Sequence, residues 1–416
     1  MARRERGARR GDAGVTTRPL FWKRLGHPHR WGAAAVLLAS AAATIALTLH
    51  DGAFTPRGSS LAAGVVFGVA LQRGELSLVR AWRDLLFLKD SGQLLGFLSA
   101  LLVAVLLTLG AMAALGVDPP ANARIGPIHW LLPISGFVFG LACVIARGGV
   151  MVHMRRLAEG SIIAVPALLA TFVGFVAGIA MWPWIWRVAI VDAPALWLPD
   201  AVGIPGALVL QIATILLLAA ALWRFRPRAA GSAGFLRRAF VEPWPAWAAG
   251  ALLGALVAAS YAVGEPLGLI AECATIARWL ATSIGLVPPA LPGLDQGVGG
   301  LAAPLEALGL TEHVVILFGF LAGAWAAALS SGRFRFAGFT LREGVEMVVG
   351  GLFVGLGAMT SLGAVTGEAI AGVAVGAVSG WLFLIFASAG IVIGLMLDRR
   401  IAIVAPDAVT HGKEPA

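Results

Sequence analysis

Ten stretches of this chain, 15 to 29 residues long, contain no aspartate, glutamate, lysine or arginine. A span needs about 20 mostly apolar residues to cross roughly 30 Å of hydrocarbon, and few soluble folds need so many runs of that length. Eight are long enough to cross upright: Trp31–His50, Ser91–Val117, Ile125–Ala146, Gly160–Trp186, Ala201–Trp223, Pro243–Gly264, His313–Gly332 and Ala369–Leu397. Gly58–Gln72 is short and Met347–Gly367 carries six glycines, so both are expected to be broken or half helices packed inside protein. Charged residues make up 13% of the chain against roughly 25% in soluble domains, which all but excludes a soluble enzyme. The excess of 31 basic over 22 acidic residues does not signal nucleic-acid binding, because the arginines punctuate apolar runs instead of clustering on one polar face. Cys143 and Cys273 lie far apart and offer neither a disulfide framework nor a metal-ligand spacing.

Loop charges set the orientation, since short loops rich in Arg and Lys stay in the cytoplasm. If the chain starts inside and crosses at every stretch, the inner segments are the N-terminal tail, 73–90, 147–159, 224–242, 333–346 and the C-terminus. They hold 27 of the 31 lysines and arginines. Only Arg57, Arg124, Arg187 and Arg278 fall outside, where acidic residues outnumber them. Ten membrane segments with both termini cytoplasmic are expected.

Residues 1–30 read as a basic tail against anionic headgroups, and 31–50 as a retained signal anchor. The first membrane half is expected at 59–186, linking helices at 201–264, an outer loop or re-entrant segment at 265–312, the second half at 313–400 and a cytoplasmic tail at 401–416. Trp182, Trp184 and Trp186 are expected as an aromatic cluster at the membrane–water interface. Arg83 and Asp84 are expected on the solvated face of an amphipathic helix.

Glycines separated by three residues let helix backbones approach closely. The spacing recurs at Gly64/Gly68, Gly136/Gly140, Gly319/Gly323 and Gly351/Gly355, each copy leading into a polar or glycine-rich break. Tight packing accounts for any one copy, while four point to duplication. By the loop charges, the copy at 136–149 runs inward and the copy at 351–363 outward. An inverted repeat has this property, and its functional site is expected where the two breaks meet near the midplane.

At these residues the chain resembles the YeeE/YedE family, bacterial inner-membrane proteins linked to uptake of sulfur compounds such as thiosulfate. The resemblance covers roughly 59–182 and 313–397. It rests on Gly64-Val-Val-Phe-Gly-Val-Ala-Leu-Gln-Arg73, on Arg80-Ala-Trp-Arg-Asp84, on Gly136-Phe-Val-Phe-Gly140 through Glu159-Gly160, and on Gly332-Arg-Phe-Arg-Phe336 through Gly357-Ala358. It implies a bacterial inner-membrane location and a relay of thiosulfate between cysteines, one in an Arg-Phe-Cys-type stretch and two in Gly-Gly-Cys motifs. The corresponding positions here read Glu75-Leu76-Ser77, Arg147-Gly148-Gly149 and Leu362-Gly363-Ala364, so all three cysteines are absent. Cys143, six residues and almost two helical turns before Gly149, is expected to be a packing residue and no substitute.

Without thiols, an anion path needs positive potential and hydrogen-bond donors. Half-helix N-termini supply free N–H groups and partial positive charge. Gly148, Gly149, Gly363 and Gly367 would let a ligand approach the backbone, and Ser77, Thr360, Ser361 and Thr366 carry hydroxyl donors. Arg73 and Arg147 either attract the anion or snorkel to headgroups. Glu368 interrupts an otherwise uncharged run, and is either exposed in a short outer hairpin or buried as a proton-coupling group. His153 is either an ordinary loop histidine or a group titrating near neutral pH.

Phosphate-binding loops, zinc-protease motifs, nucleophile elbows and cofactor-attachment motifs are missing, so neither an enzyme nor a cofactor or metal is expected. The expected protein is an all-α polytopic transmembrane bundle of nine or ten membrane segments, with broken helices and two inverted halves. Its expected work is transport of a small sulfur-containing or related inorganic anion, thiosulfate-like, by a route without relay cysteines. The bilayer and the anion are its expected partners, with a cytoplasmic sulfur-carrier protein as a further one and no nucleic acid. Two alternatives stay open: a non-transporting anchor that docks cytoplasmic sulfur-handling proteins on its basic loops, and a membrane enzyme or redox subunit.

Overall fold

The computed structural model describes residues 29–51, 56–120, 123–227, 242–262, 268–295 and 312–397. Both tails, apart from His29 and Arg30, lie outside them, as does most of the basic loop after Trp223. The described residues form helices joined by short connections, with two isolated bridges, Ser161 to Ala337 and Trp197 to Ala377. The helices are α1 (Arg30–Asp51), α2 (Pro56–Gly74), α3 (Leu78–Arg83), α4 (Gly92–Leu115), α5 (Leu131–Ile145), α6 (Val150–Ala158), α7 (Ala164–Ala180), α8 (Trp182–Ile185), α9 (Leu198–Trp223), α10 (Ala246–Ala262), α11 (Leu269–Ser283), α12 (Glu312–Ser330), α13 (Leu341–Thr360), α14 (Val373–Val375) and α15 (Val378–Leu397). A wider π-helical segment, Val365–Gly372, leads into α14. Seven helical segments are long and apolar enough to cross a bilayer, the bent pair Ala164–Ala180 and Trp182–Ile190 makes an eighth, and α10 and α12 are shorter apolar helices. Each of the ten uncharged stretches is therefore helical. The reason is that hydrocarbon offers no partner for a backbone N–H or C=O, so every such group must be satisfied within the segment.

Gly58–Gln72 departs from expectation. It is neither broken nor half-length, but the centre of the continuous 19-residue α2, whose penultimate residue Arg73 is buried within the protein. Counting uncharged residues truncated a helix that carries its arginine inside the protein. The stretch around Cys273–Gly285, open between loop and re-entrant segment, is helix α11, with Arg278 buried on its packed face.

Four parallel helix pairs make the frame: α2 with α12, α4 with α10, α5 with α15, and α7 with α13, while α5 and α13 pack at the centre. Glycines line every crossing. Gly64 abuts Ile316 and Phe320, and Gly319 abuts Leu61 and Val65; Gly250 and Gly254 meet Gly96 and Ala100. Gly140 meets Ala387 and Gly390 meets Phe137, whereas Gly174 meets Leu352 and Gly355 meets Thr171. Exchanging 56–180 with 246–397 leaves the pairing unchanged, with α2 standing for α10, α4 for α12, α5 for α13 and α7 for α15. Gln93, at the start of α4, donates to the Gly74 carbonyl at the end of α2 (3.3 Å), so α2 and α4 are antiparallel. Helix α10, parallel to α4, therefore runs opposite to its counterpart α2, and the two halves are inverted. Helix α10, expected among the linking helices, packs on α4 as α12 packs on α2.

Two local expectations are corrected. Trp182 does not present its ring at the protein surface: it is fully buried and donates from Nε1 to the Pro292 carbonyl (2.8 Å), while Trp184 is exposed. Asp84 is buried instead of solvated, because it accepts from Arg80 (3.3 Å) and Arg83 (2.8 Å) at the π-turn after α3.

Candidate functional site

Helices α5 and α13 both stop inside the protein, and they stop in the same way. After α5, Arg147 N–H donates to Val144 and Gly148 N–H to Cys143; after α13, Leu362 N–H donates to Met359 and Gly363 N–H to Ala358. Arg147 (φ 55°) and Leu362 (φ 61°) take the left-handed conformation, followed by Gly148 (φ 156°) and Gly363 (φ 127°). Ala364 (φ 50°) is also left-handed, as is Glu75 (φ 51°) after α2. Side chains pay roughly 1–3 kcal/mol to hold such a backbone, so the surrounding packing must enforce it. Two of the three triplets that stand where the family resemblance places cysteines therefore share a turn, and the third, Glu75-Leu76-Ser77, has in common with them only a positive φ at its first residue.

The two breaks do not meet at the midplane. Gly350 abuts Ala146 and Gly357 abuts Phe139, so in the antiparallel α5–α13 pair the second break lies level with the start of α5. At 1.5 Å per residue the breaks are about 16 Å apart along the pair. Between them the buried rings of Phe139 and Phe383 pack with centroids 5.5 Å apart.

At the first break, Arg147 reaches Glu343 (3.1 Å) and Glu346 (2.9 Å) at the start of α13, so it is ion-paired and does not snorkel. Gly149 begins α6 in an extended conformation. His153 lies in α6, not in a loop, is fully buried, and its Nε2 is 3.1 Å from the Gly148 carbonyl. Cys143 corrects the linear count: the turn folds the chain back so that its Sγ lies 3.5 Å from where a Cβ on Gly149 would stand.

At the second break, Thr360 donates to the Leu356 carbonyl (2.9 Å) and Ser361 more weakly to Ala358 (3.4 Å). Thr366 and Glu368 are buried, and among the described residues the Thr366 hydroxyl and both Glu368 carboxylate oxygens have no hydrogen-bond partner. An exposed outer hairpin is therefore excluded for Glu368. Its carboxylate lies against Gly126, with Arg124 and Ser379 close by. Tyr261 ties this region together, donating to the Ala371 carbonyl (2.9 Å) and accepting from Arg124 N–H (3.3 Å). Arg124, Tyr261 and the phenylalanine plug were not singled out from the sequence. Arg124 had a signal, being one of four cations on the acidic side of the loop count.

The third triplet lies apart from both breaks. Ser77 caps α3 by accepting from Arg80 N–H (3.4 Å), and Glu75 bridges Arg80 and Arg333. Arg73 is buried beside Arg333 and not snorkelled. A separate cleft of about 300 Å³ among α6, α7, α11 and α12 has walls such as Met154, Phe172, Phe175 and Leu317, too apolar to hold an anion.

Inverted halves, two interrupted spans at equivalent positions, and ionisable side chains buried beside the interruptions define a membrane transporter of the inverted-repeat class. The chain belongs to the sulphur transport family, which matches residues 73–393. It is 26% identical over 352 residues to a thiosulfate transporter, TsuA, of Spirochaeta thermophila, covering 79% of this chain and 94% of that protein. It is 24% identical over 362 residues to the thiosulfate transporter TsuA of Escherichia coli K12, covering 80% and 92%.

Proposed function

We propose that the chain moves thiosulfate or a closely similar sulfur oxyanion across the bacterial inner membrane, past the two breaks in turn, without handing it between thiols. The observation that carries this reading is the repetition of one strained turn at equivalent places in two inverted halves, each opening onto a new helical segment. First-turn N–H groups of such segments have no intrahelical partner and suit an anion. Gly148 and Gly149 at one break, with Gly363, Ser361 and Thr366 at the other, are the proposed contacts. The phenylalanine plug and the Arg147–Glu343–Glu346 cluster close the route, and both must part for passage. The end carrying Glu75, Arg80, Arg147 and Arg333 is taken as cytoplasmic, in keeping with the loop charges and with the shared direction of each parallel pair.

An anchoring role draws no comparable support. Arg80, Arg147, Arg155 and Arg333 on that face are matched by Glu75, Glu159, Glu343 and Glu346, which leaves less free positive charge for docking an acidic partner. Proteoliposomes of the full chain test the reading. Labelled thiosulfate enters and is displaced by unlabelled thiosulfate; absence of flux for thiosulfate, sulfite and sulfate alike overturns it.

A further inference from the structure

The break-and-helix units can be superimposed in sequence by their shared turn: Arg147-Gly148-Gly149 matches Leu362-Gly363-Ala364. Four residues beyond the last of each stands an ionisable side chain with no exposure to solvent, His153 in one half and Glu368 in the other. A neutral imidazole can be buried at modest cost, and His153 has the Gly148 carbonyl as a partner. An ionised carboxylate with neither oxygen hydrogen-bonded is far costlier to bury. It would also repel a dianion arriving at the first turn of Val365–Gly372, where Glu368 is the fourth residue.

Among the described residues no group bonds either Glu368 oxygen with good geometry, although Ser379 and Arg124 lie near. Arg124, on the 123–130 connection that also carries the buried His129, acts on the carboxylate electrostatically, and Tyr261 of α10 donates its hydroxyl proton to Ala371. Helix α11 carries Glu272, Cys273 and Arg278, the last bound to Asp295 and to the Pro289 carbonyl. Helices α4 and α15, which also pack on the segment, bring no charged or titratable side chain, only hydroxyls such as Thr108 and Ser379.

We propose that Glu368 is a proton-binding site, and that the anion passes the second break only with this carboxyl protonated, so that a proton travels with the cargo. The inference rests on the transport reading above and adds its coupling ion. The proton comes from water at the face opposite the Glu75 cluster, binds one carboxylate oxygen and leaves to the other side; no bond of the anion is made or broken. In the protonated form the carboxyl turns from an acceptor that repels the anion into a neutral donor beside Thr366.

Full-length wild type, Glu368→Gln and Glu368→Asp in proteoliposomes test this. For wild type, acid outside raises initial uptake of labelled thiosulfate several-fold, and uptake alkalinises the outer medium. Glu368→Gln loses both responses while keeping residual thiosulfate exchange at equal pH, and Glu368→Asp retains them in part. Infrared difference spectra of the same samples show a protonated-carboxyl band at neutral pH in wild type that is missing from Glu368→Gln. An unchanged band in Glu368→Gln, or proton flux retained by it, overturns the proposal. Thiosulfate flux in wild type without proton movement overturns the coupling alone, whereas no flux at all overturns the transport reading as well.

Discussion

The break after α5 and the break after α13 share a backbone and differ in chemistry. At the first, Arg147 is held by two glutamates and His153 Nε2 by a carbonyl, so the charge is paired within the chain, although Arg147 Nε and His153 Nδ1 have no hydrogen-bond partner among the described residues. At the second the left-handed position falls on Leu362, and Glu368, four residues past the turn, is buried with neither oxygen hydrogen-bonded among the described residues. The turn occurs twice, and on the proposed route one copy acts as a latch and the other as a polar chamber. A latch must be broken for passage; a chamber must be neutralised. The two breaks are therefore expected to respond alike to blocking of the turn and differently to neutralisation of their charged side chains.

Blocking either turn has the largest effect. Gly148→Leu and Gly363→Leu each place a side chain on a positive φ, and at Gly148 the new Cβ meets Val152, so both variants should lose at least about tenfold in uptake and roughly 1–3 kcal/mol in stability. Uptake assays with thermal unfolding in detergent check this, and loss at only one of the two would show that they do not act in series. Phe139→Ala removes the ring between them, costs about 3–5 kcal/mol as a buried aromatic truncation, and raises passive anion leak through proteoliposomes.

The double variant Glu343→Gln, Glu346→Gln releases Arg147. Because these side chains are about a third exposed, the stability change is at most about 1 kcal/mol, yet turnover or leak should rise, opposite in sign to the glycine variants. The smallest effect belongs to Gly149→Ala. Its φ of −91° suits any residue and its Cβ meets only ordinary contacts with Cys143 and Phe139, so stability should stay within about 1 kcal/mol of wild type by chemical denaturation.

That the uncharged stretches are apolar helices was legible in the sequence because a bilayer leaves charge no place to hide except at the ends. That same rule misjudged α2, whose Arg73 is buried by neighbouring protein instead of lying at a headgroup. Glycine spacing exposed the inverted repeat, since the close crossings need bare backbone on both partners. The depth of the breaks was not legible, because it depends on the register between α5 and α13. Nor was the role of Arg147, whose partners lie 196 and 199 residues away. Cys143 looked remote from Gly149 only while the helix was imagined to continue straight; the left-handed turn at Arg147 and Gly148 brings the two together.

That proximity also defines the decisive measurement. The described residues hold two cysteines, buried Cys143 and half-buried Cys273, and neither occupies one of the three triplets. A cysteine-free full-length chain, Cys143→Ala with Cys273→Ala, is assayed for labelled thiosulfate uptake in proteoliposomes beside the wild type. Uptake within about twofold of wild type is the predicted result, since on the proposed route backbone N–H groups and hydroxyls carry the anion. Abolished uptake in a variant that stays folded would contradict the account, and would make the Cys143 thiol, set beside Gly149, the carrier of the anion after all.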